Sequence, residues 1–222
     1  MSGGSLARPT ATAVPEGQVL RYTFVERAIH WTNGLAYLYL MLTGLALFTP
    51  FFYWMAAVLG GGGTIRYWHP WIGLIYAATI VQMHRMWRSD IKTTDADRQW
   101  LKNVEAYAKN EDANMPPQGR FNAGQKQFYW AMFYSMLLLV VTGIVMWFPE
   151  YMPRKAHFVL PIIVFLHSAA ALVSIAGFLI HVYMSIWMTP GSVKAMTDGY
   201  VSRAWAKTHH RLWYEKITGR RS

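Results

Sequence analysis

The sequence predicts an all-α integral membrane protein, a bundle of four transmembrane helices with both termini in the cytoplasm. Apolar residues make up 54% of the 222 residues and charged residues only 14%, about half the charged share of soluble domains. Four stretches contain no Asp, Glu, Lys or Arg: 28–65, 67–84, 127–149 and 156–193. Each can hold a helix of about 20 residues, the length that crosses a hydrocarbon core.

The distribution of Lys and Arg predicts the topology. Eighteen of the 21 lie before the first stretch, in the 85–126 connection or after residue 190, and three lie in the other two connections. This asymmetry follows the positive-inside rule. The net charge of +10 therefore indicates topology and contact with anionic lipid headgroups and does not point to a nucleic-acid partner.

Each element has its own signal. Residues 1–20 are polar and rich in Pro and Thr, which predicts a disordered segment without a cleaved leader. Proline at position 50 and the aromatic residues after it end the first span at the outer interface, and Pro70 is expected in the first turn of the second. The tail, residues 191–222, is basic and cytoplasmic, and is expected to bind the interface or a partner. The membrane domain covers residues 21–190, with spans at about 28–50, 68–88, 127–148 and 161–187, and a short amphipathic helix is expected over Asp95–Lys109.

Cysteine is absent. Its absence excludes thiolate ligation of haem, iron–sulfur clusters bound by this chain, covalent haem attachment and disulfides. A metal bound here must rely on other ligands.

Four histidines fall into two pairs at matched depths. His167 and His181 are 14 residues apart on the fourth span, so they lie within about 40° of one face and roughly 21 Å apart along the axis. The topology places His30 at the inner level with His181, and His69 at the outer level with His167. Two histidines on different helices can ligate one haem iron from both sides, which predicts two bis-histidine haems b for electron transfer.

Small residues one turn deeper than each histidine support the haem interpretation, because a porphyrin against a helix needs clearance. Close helix packing is the alternative explanation, and a single intramembrane histidine can instead bond a neighbouring helix or line a proton path. Zinc is disfavoured because each level supplies only two ligands. The small residues are Gly34, Gly73, Ala171 and Gly177.

The motifs around these histidines resemble the gamma (cytochrome b) subunit of respiratory membrane-bound formate dehydrogenase. They occur in the family's order over about residues 20–216: Arg27-Ala28-Ile29-His30-Trp31, His69-Pro70-Trp71-Ile72-Gly73, Phe121-Asn122-Ala123-Gly124-Gln125-Lys126, Phe165-Leu166-His167-Ser168-Ala169-Ala170, Leu179-Ile180-His181-Val182-Tyr183-Met184 and Val201-Ser202-Arg203-Ala204-Trp205-Ala206-Lys207-Thr208-His209-His210.

The resemblance implies a multi-pass subunit of the bacterial inner membrane. Its partners would be an iron–sulfur beta subunit and a molybdenum or tungsten catalytic alpha subunit, assembled as a trimer of heterotrimers. Formate would be oxidised outside, and electrons would pass through the outer haem (His69, His167) and the inner haem (His30, His181) to a quinone.

The resemblance also implies a quinone site beside the inner haem. Asn122 matches the family residue that hydrogen-bonds a quinone carbonyl, although Asn is also a ready helix N-cap. His181 can contribute through its free ring nitrogen, and we add Gln125 and Lys126. Arg66 can neutralise an outer haem propionate or serve as a plain interfacial residue.

Two other classes remain open. The same cytochrome could serve a hydrogenase or a thiosulfate or polysulfide reductase, and the catalytic subunit that co-purifies would distinguish them. A haem-free anchor or proton channel would instead show no b-type absorption.

Overall fold

Four long helices dominate the computed structural model, which describes residues 14–109, 111 and 115–219. They are α1 (Phe24–Phe48), α3 (Gly62–Trp87), α6 (Ala123–Trp147) and α7 (Leu160–Tyr183), the last continuing as a π-turn over Met184–Met188. Short elements connect them: α2 (Trp54–Val58), α4 (Asp95–Lys102), α5 (Val104–Ala108) and 3₁₀ turns at Pro50–Phe52, Pro149–Tyr151 and Arg154–Val159. The chain ends with α8 (Ser192–Thr197), α9 (Arg203–His209) and α10 (Arg211–Thr218).

The four helices form two hairpins. α1 packs along α3 and α6 along α7, whereas the contacts of α3 with α6 and of α1 with α7 are much sparser. The hairpins touch near the middle of the bundle, where the Tyr37 hydroxyl of α1 lies 2.9 Å from the Ser174 hydroxyl of α7, and a gap between them opens toward one end.

A two-stranded antiparallel sheet joins the two ends of the chain. β1 (Gln18–Leu20) pairs with β2 (Tyr200–Ser202), with Val19 opposite Val201. The predicted disorder of residues 1–20 is therefore wrong for 18–20, because a long-range partner orders them, and residues 1–13 lie outside the described part. We call the end of the bundle that carries this sheet the inner end, and the opposite end the outer end.

Among the described residues, three helical stretches are long and apolar enough to span a membrane: Phe24–Phe48, Ala123–Trp147 and Arg154–Met188. α3 is as long, but its Tyr, Trp, His and Arg side chains lower its mean hydropathy. Large apolar side chains of the long helices face outward and are exposed, among them Leu35, Val141, Val173 and Ile180. Such a surface suits lipid.

Three helices begin before the predicted spans: α1, α3 and α6, the last of which starts at Ala123 and not at about 127. α1 is capped by Thr23, whose hydroxyl accepts a hydrogen bond from the backbone of Glu26 while the Glu26 carboxylate accepts one from the backbone of Thr23. α3 starts directly after the positive φ of Gly60 and Gly61. Pro70 therefore lies inside α3, where it removes a backbone hydrogen bond, and the expectation that it occupies the first turn is wrong.

A folded polar cap closes the inner end of the bundle, and the C-terminal tail packs against it. Arg120 bridges the carboxylates of Glu26 (2.7 Å) and Asp90 (3.2 Å), and Trp87 donates to Glu26. Burial by itself would lower the pKa of Arg120, but the neighbouring Glu26 carboxylate raises it overall. The predicted helix over Asp95–Lys109 divides into α4 and α5 at Asn103.

Candidate haem sites

The outer histidines face each other across the gap. His69, in the second turn of α3, and His167, at the same position of α7, have ring centroids 6.5 Å apart and inclined by 57°. They come from different hairpins, so the gap lies between their rings.

The inner histidines meet in the same way. The rings of His30 on α1 and His181 near the end of α7 have centroids 6.3 Å apart and inclined by 54°. A ligating imidazole nitrogen lies roughly 2 Å from its metal with the ring centre roughly 1 Å behind it, so two rings on opposite sides of one ion have centroids about 6 Å apart. Both pairs match this spacing.

Each outer histidine is held by a threonine of its own hairpin. The Thr43 hydroxyl donates to the Tyr39 carbonyl (2.8 Å) and lies 2.7 Å from His69 Nδ1. The Thr142 hydroxyl donates to the Leu138 carbonyl (2.6 Å) and lies 2.8 Å from His167 Nδ1. Because the hydroxyl proton is used on the backbone, the oxygen accepts from Nδ1–H, which leaves Nε2 as the free ligand.

Sequence reasoning missed these threonines. The available signal was a repeated Thr-Gly pair, Thr43-Gly44 and Thr142-Gly143, which precedes His69 and His167 by 26 and 25 residues. A Cβ on Gly44 would lie 3.6 Å from His69 Cε1, and one on Gly143 3.4 Å from His167 Cε1. The glycines therefore let each ring lie against the neighbouring helix.

A cavity of about 1100 Å³ opens at the outer pair and draws its lining from all four long helices. Drug-sized ligands usually occupy about 300–1,000 Å³, so the cavity has room for a larger flat group such as haem. Gly73 and Ala171, two of the residues expected to give clearance, line it together with the exposed Arg66 and Glu150. The donor set and the volume fit a haem.

Clearance at the inner pair is less uniform. A Cβ at Gly34 would meet nothing within 4 Å, as at Gly73. At Gly177 it would touch Met132 (3.7 Å) and Phe128 (3.8 Å), so this glycine faces α6 and matches the packing alternative.

The inner rings have aromatic neighbours. Phe128 stacks on His181 with centroids 4.5 Å apart and planes 5° apart, and Trp31 meets His30 edge-on. His30 Nδ1 is buried and has no hydrogen-bond partner among the described residues.

Three of the four predicted quinone residues lie at the start of α6, and the fourth, His181, lies near the end of α7. Asn122 is buried and caps the helix: its Oδ1 accepts from the Gln125 backbone (2.9 Å), and Gln125 Oε1 accepts from the Asn122 backbone (3.1 Å). Lys126 is buried against Asp97 (2.7 Å) and the Lys92 carbonyl. Asn122 lies about 9 Å along the helix axis from Phe128, the residue stacked on His181.

The remaining histidines have other partners. His84 Nδ1 lies 2.8 Å from the Tyr129 hydroxyl, His157 contacts the Met152 carbonyl, and His210 is buried in the cap. In the described part of the chain, no cluster of three or more His, Asp or Glu could hold a bare metal ion. A haem iron needs only two protein ligands.

Comparison with known proteins gives a consistent result. The model of the prokaryotic cytochrome b561 family matches residues 21–199. The formate dehydrogenase cytochrome b556(fdo) subunit of Escherichia coli K12 is 34% identical over 90% of this chain and 93% of its own length. The nitrate-inducible formate dehydrogenase cytochrome b556(Fdn) subunit of the same strain is 34% identical over 90% and 91%, and the Haemophilus influenzae formate dehydrogenase cytochrome b556 subunit is 34% identical over 90% and 83%. The chain therefore belongs to the prokaryotic cytochrome b561 family and is related along most of its length to formate dehydrogenase cytochrome b556 subunits.

Proposed function

We propose that this chain is the membrane cytochrome b subunit of a formate dehydrogenase and carries electrons from an iron–sulfur subunit across the membrane to a quinone. The observation that carries the proposal is the pair of facing histidine couples, with ring centroids 6.3 and 6.5 Å apart. The relatives, all named as formate dehydrogenase subunits, support the donor.

The parity of the crossings supports a four-span topology. Hydrogen bonds between β1 and β2 put residues 18–20 and 200–202 on one side of the membrane. The chain between them must then cross an even number of times, which three spans cannot do. α3, at 26 residues long enough for a hydrocarbon core, supplies the fourth crossing.

The four histidines would hold two haems b, whose irons supply one-electron chemistry. His69 with His167, and His30 with His181, would each hold one haem, and the chemistry supplied there would be electron transfer. The two levels are set by the spacing of His167 and His181, about 21 Å along α7. Arg66, which lines the cavity, would neutralise a propionate.

The inner end would receive the quinone. Asn122 would donate from its amide nitrogen to a quinone carbonyl while its oxygen caps α6, and His181 would contribute through its free ring nitrogen. Gln125 takes part in the N-terminal cap of α6, and Lys126 forms the ion pair with Asp97. Their role would therefore be to hold the start of α6. Electrons that move inward to meet protons from the cytoplasm build voltage, worth about 2.3 kcal/mol per charge per 100 mV.

We carry the setting over from the family resemblance of the sequence motifs. The chain would sit in a bacterial inner membrane with an iron–sulfur beta subunit and a molybdenum or tungsten alpha subunit, and the complex would form a trimer of heterotrimers. A hydrogenase or a thiosulfate or polysulfide reductase is the alternative donor complex, and the subunits that co-purify decide between them.

The test is a reduced-minus-oxidised spectrum of the purified complex with His69→Ala and, as a matched control, the exposed outer His157→Ala. The wild type and the control should show b-type bands from two haems, both reduced by formate. His69→Ala should lose one haem and block reduction of the other by formate, while quinol still reduces it. A wild-type spectrum without b-type bands would identify a haem-free anchor.

A further inference from the structure

The outer and inner histidine pairs differ in what holds their second ring nitrogen. At the outer pair, both Nδ1 atoms contact a buried threonine hydroxyl, at 2.7 and 2.8 Å. At the inner pair, His30 Nδ1 is buried without a partner among the described residues, and His181 stacks on Phe128.

The two threonine contacts are equivalent in construction. Thr43 lies on α1 and holds His69 of α3, while Thr142 lies on α6 and holds His167 of α7, so each hairpin orients its own histidine. Both threonines are buried, and each hydroxyl proton is committed to a carbonyl of its own helix. Each oxygen can then only accept, which fixes the Nδ1–H tautomer and aims Nε2 into the gap.

A hydrogen bond from Nδ1–H has an electronic consequence. It raises the basicity of the imidazole, which then donates more strongly through Nε2 to a bound metal. Stronger donation stabilises the oxidised iron, and second-shell hydrogen bonding is one of the ways by which a protein sets a haem potential.

We propose that Thr43 and Thr142 are positioning residues that orient His69 and His167 and lower the reduction potential of the outer haem. The inference rests on the proposed haem ligation. It would give the outer end the more reducing centre, so that electrons entering there pass inward downhill.

The experiment is a redox titration of the purified complex, followed by visible spectra and by the low-spin haem signals in electron paramagnetic resonance. The variants are Thr43→Val and Thr142→Val, each beside its serine counterpart. Thr32→Val is the matched control, because this exposed hydroxyl bonds only the Ala28 carbonyl of its own helix. His69→Ala identifies which component is the outer haem.

We expect both valine variants to move the outer haem to higher potential and to change its low-spin signal, with the inner haem unchanged. The serine variants and Thr32→Val should titrate like the wild type, and the double valine variant should shift by about the sum of the single shifts. Loss of the outer haem in a valine variant, restored by serine, would equally support a positioning role.

Two results would overturn the inference: valine variants whose outer haem titrates as in the wild type, or serine variants that fail as valine does. Either can occur in a protein with two normal b haems. Failure of the proposed function is distinguishable, since it would appear as a wild-type complex without b-type bands.

Discussion

Each end of the bundle brings together two imidazole rings from different hairpins, but the side chains that surround the rings differ between the two ends. At the outer end, the histidines are braced inside each hairpin by Thr43 and Thr142 and border a cavity of about 1100 Å³. At the inner end, aromatic rings surround the histidines, and a folded cap of ion pairs closes the bundle. The outer pair thus borders an open cavity, whereas the inner pair lies between aromatic rings and a closed polar cap.

We expect the largest effect, on haem content, from a side chain that fills the open space beside Gly73 near the outer histidine pair. Gly73→Leu adds a side chain where nothing lies within 4 Å, so the chain should still fold while the outer haem is excluded. Haem content measured against protein should fall by about half, with the inner haem retained. Gly177→Ala is the control, because its Cβ would make only ordinary contacts with Met132 and Phe128; full haem content in Gly73→Leu would argue against a ring at this position.

A smaller effect at the inner end should separate the two roles of Asn122. Asn122→Asp keeps a capping oxygen but loses the amide donor, whereas Asn122→Ala loses both, and the lost cap costs about 1 kcal/mol. We expect quinone reduction to fall in both variants, measured as formate-dependent reduction of a quinone analogue, and thermal stability to fall in the alanine variant. If Asn122→Asp reduces quinone normally, Asn122 serves only as a cap.

The smallest effect we expect is that the stability of the folded polar cap at the inner end depends on pH. His210 is buried, with Nδ1 2.8 Å from the Gly119 carbonyl and Nε2 3.0 Å from the Arg21 guanidinium. Burial, followed by the charge of Arg21, lowers its pKa well below the usual 6.5. The unfolded segment therefore takes up a proton as the pH falls below about 6.5 while the folded cap does not, so stability is full above that pH and is lost below it, by up to about 1.4 kcal/mol per unit.

Hydrogen exchange of α9 and α10 at pH 7.5 and pH 5.0 measures this dependence. Protection in the wild type should weaken at the lower pH. In the His210→Gln variant, the polar cap should be less stable overall, but its protection should change less between pH 7.5 and pH 5.0 than in the wild type. An equal loss of protection in both proteins would assign the dependence to other groups.

The spacing of the histidines along the helical spans predicted much of this site from the sequence. The 14-residue spacing of His167 and His181 and the alternation of the spans were enough to pair the four histidines, because helical rise is nearly constant. The buttressing threonines could not be found in this way, since a helical threonine commonly bonds only its own backbone. The ordered cap was also missed, because it depends on residues 18–20 meeting residues 200–202, a contact that no local pattern reports.

The small number of contacts between the two hairpins has a consequence for how the protein is assembled in the membrane. Each hairpin carries a histidine already braced by its own threonine, but little protein contact joins α3 to α6 or α1 to α7. A newly inserted chain would therefore consist of two hairpins with few contacts between them, and the proposed haems would join the two. We expect chains made under haem starvation to stay loosely joined and open to membrane proteases, so that cofactor supply sets how much finished subunit accumulates.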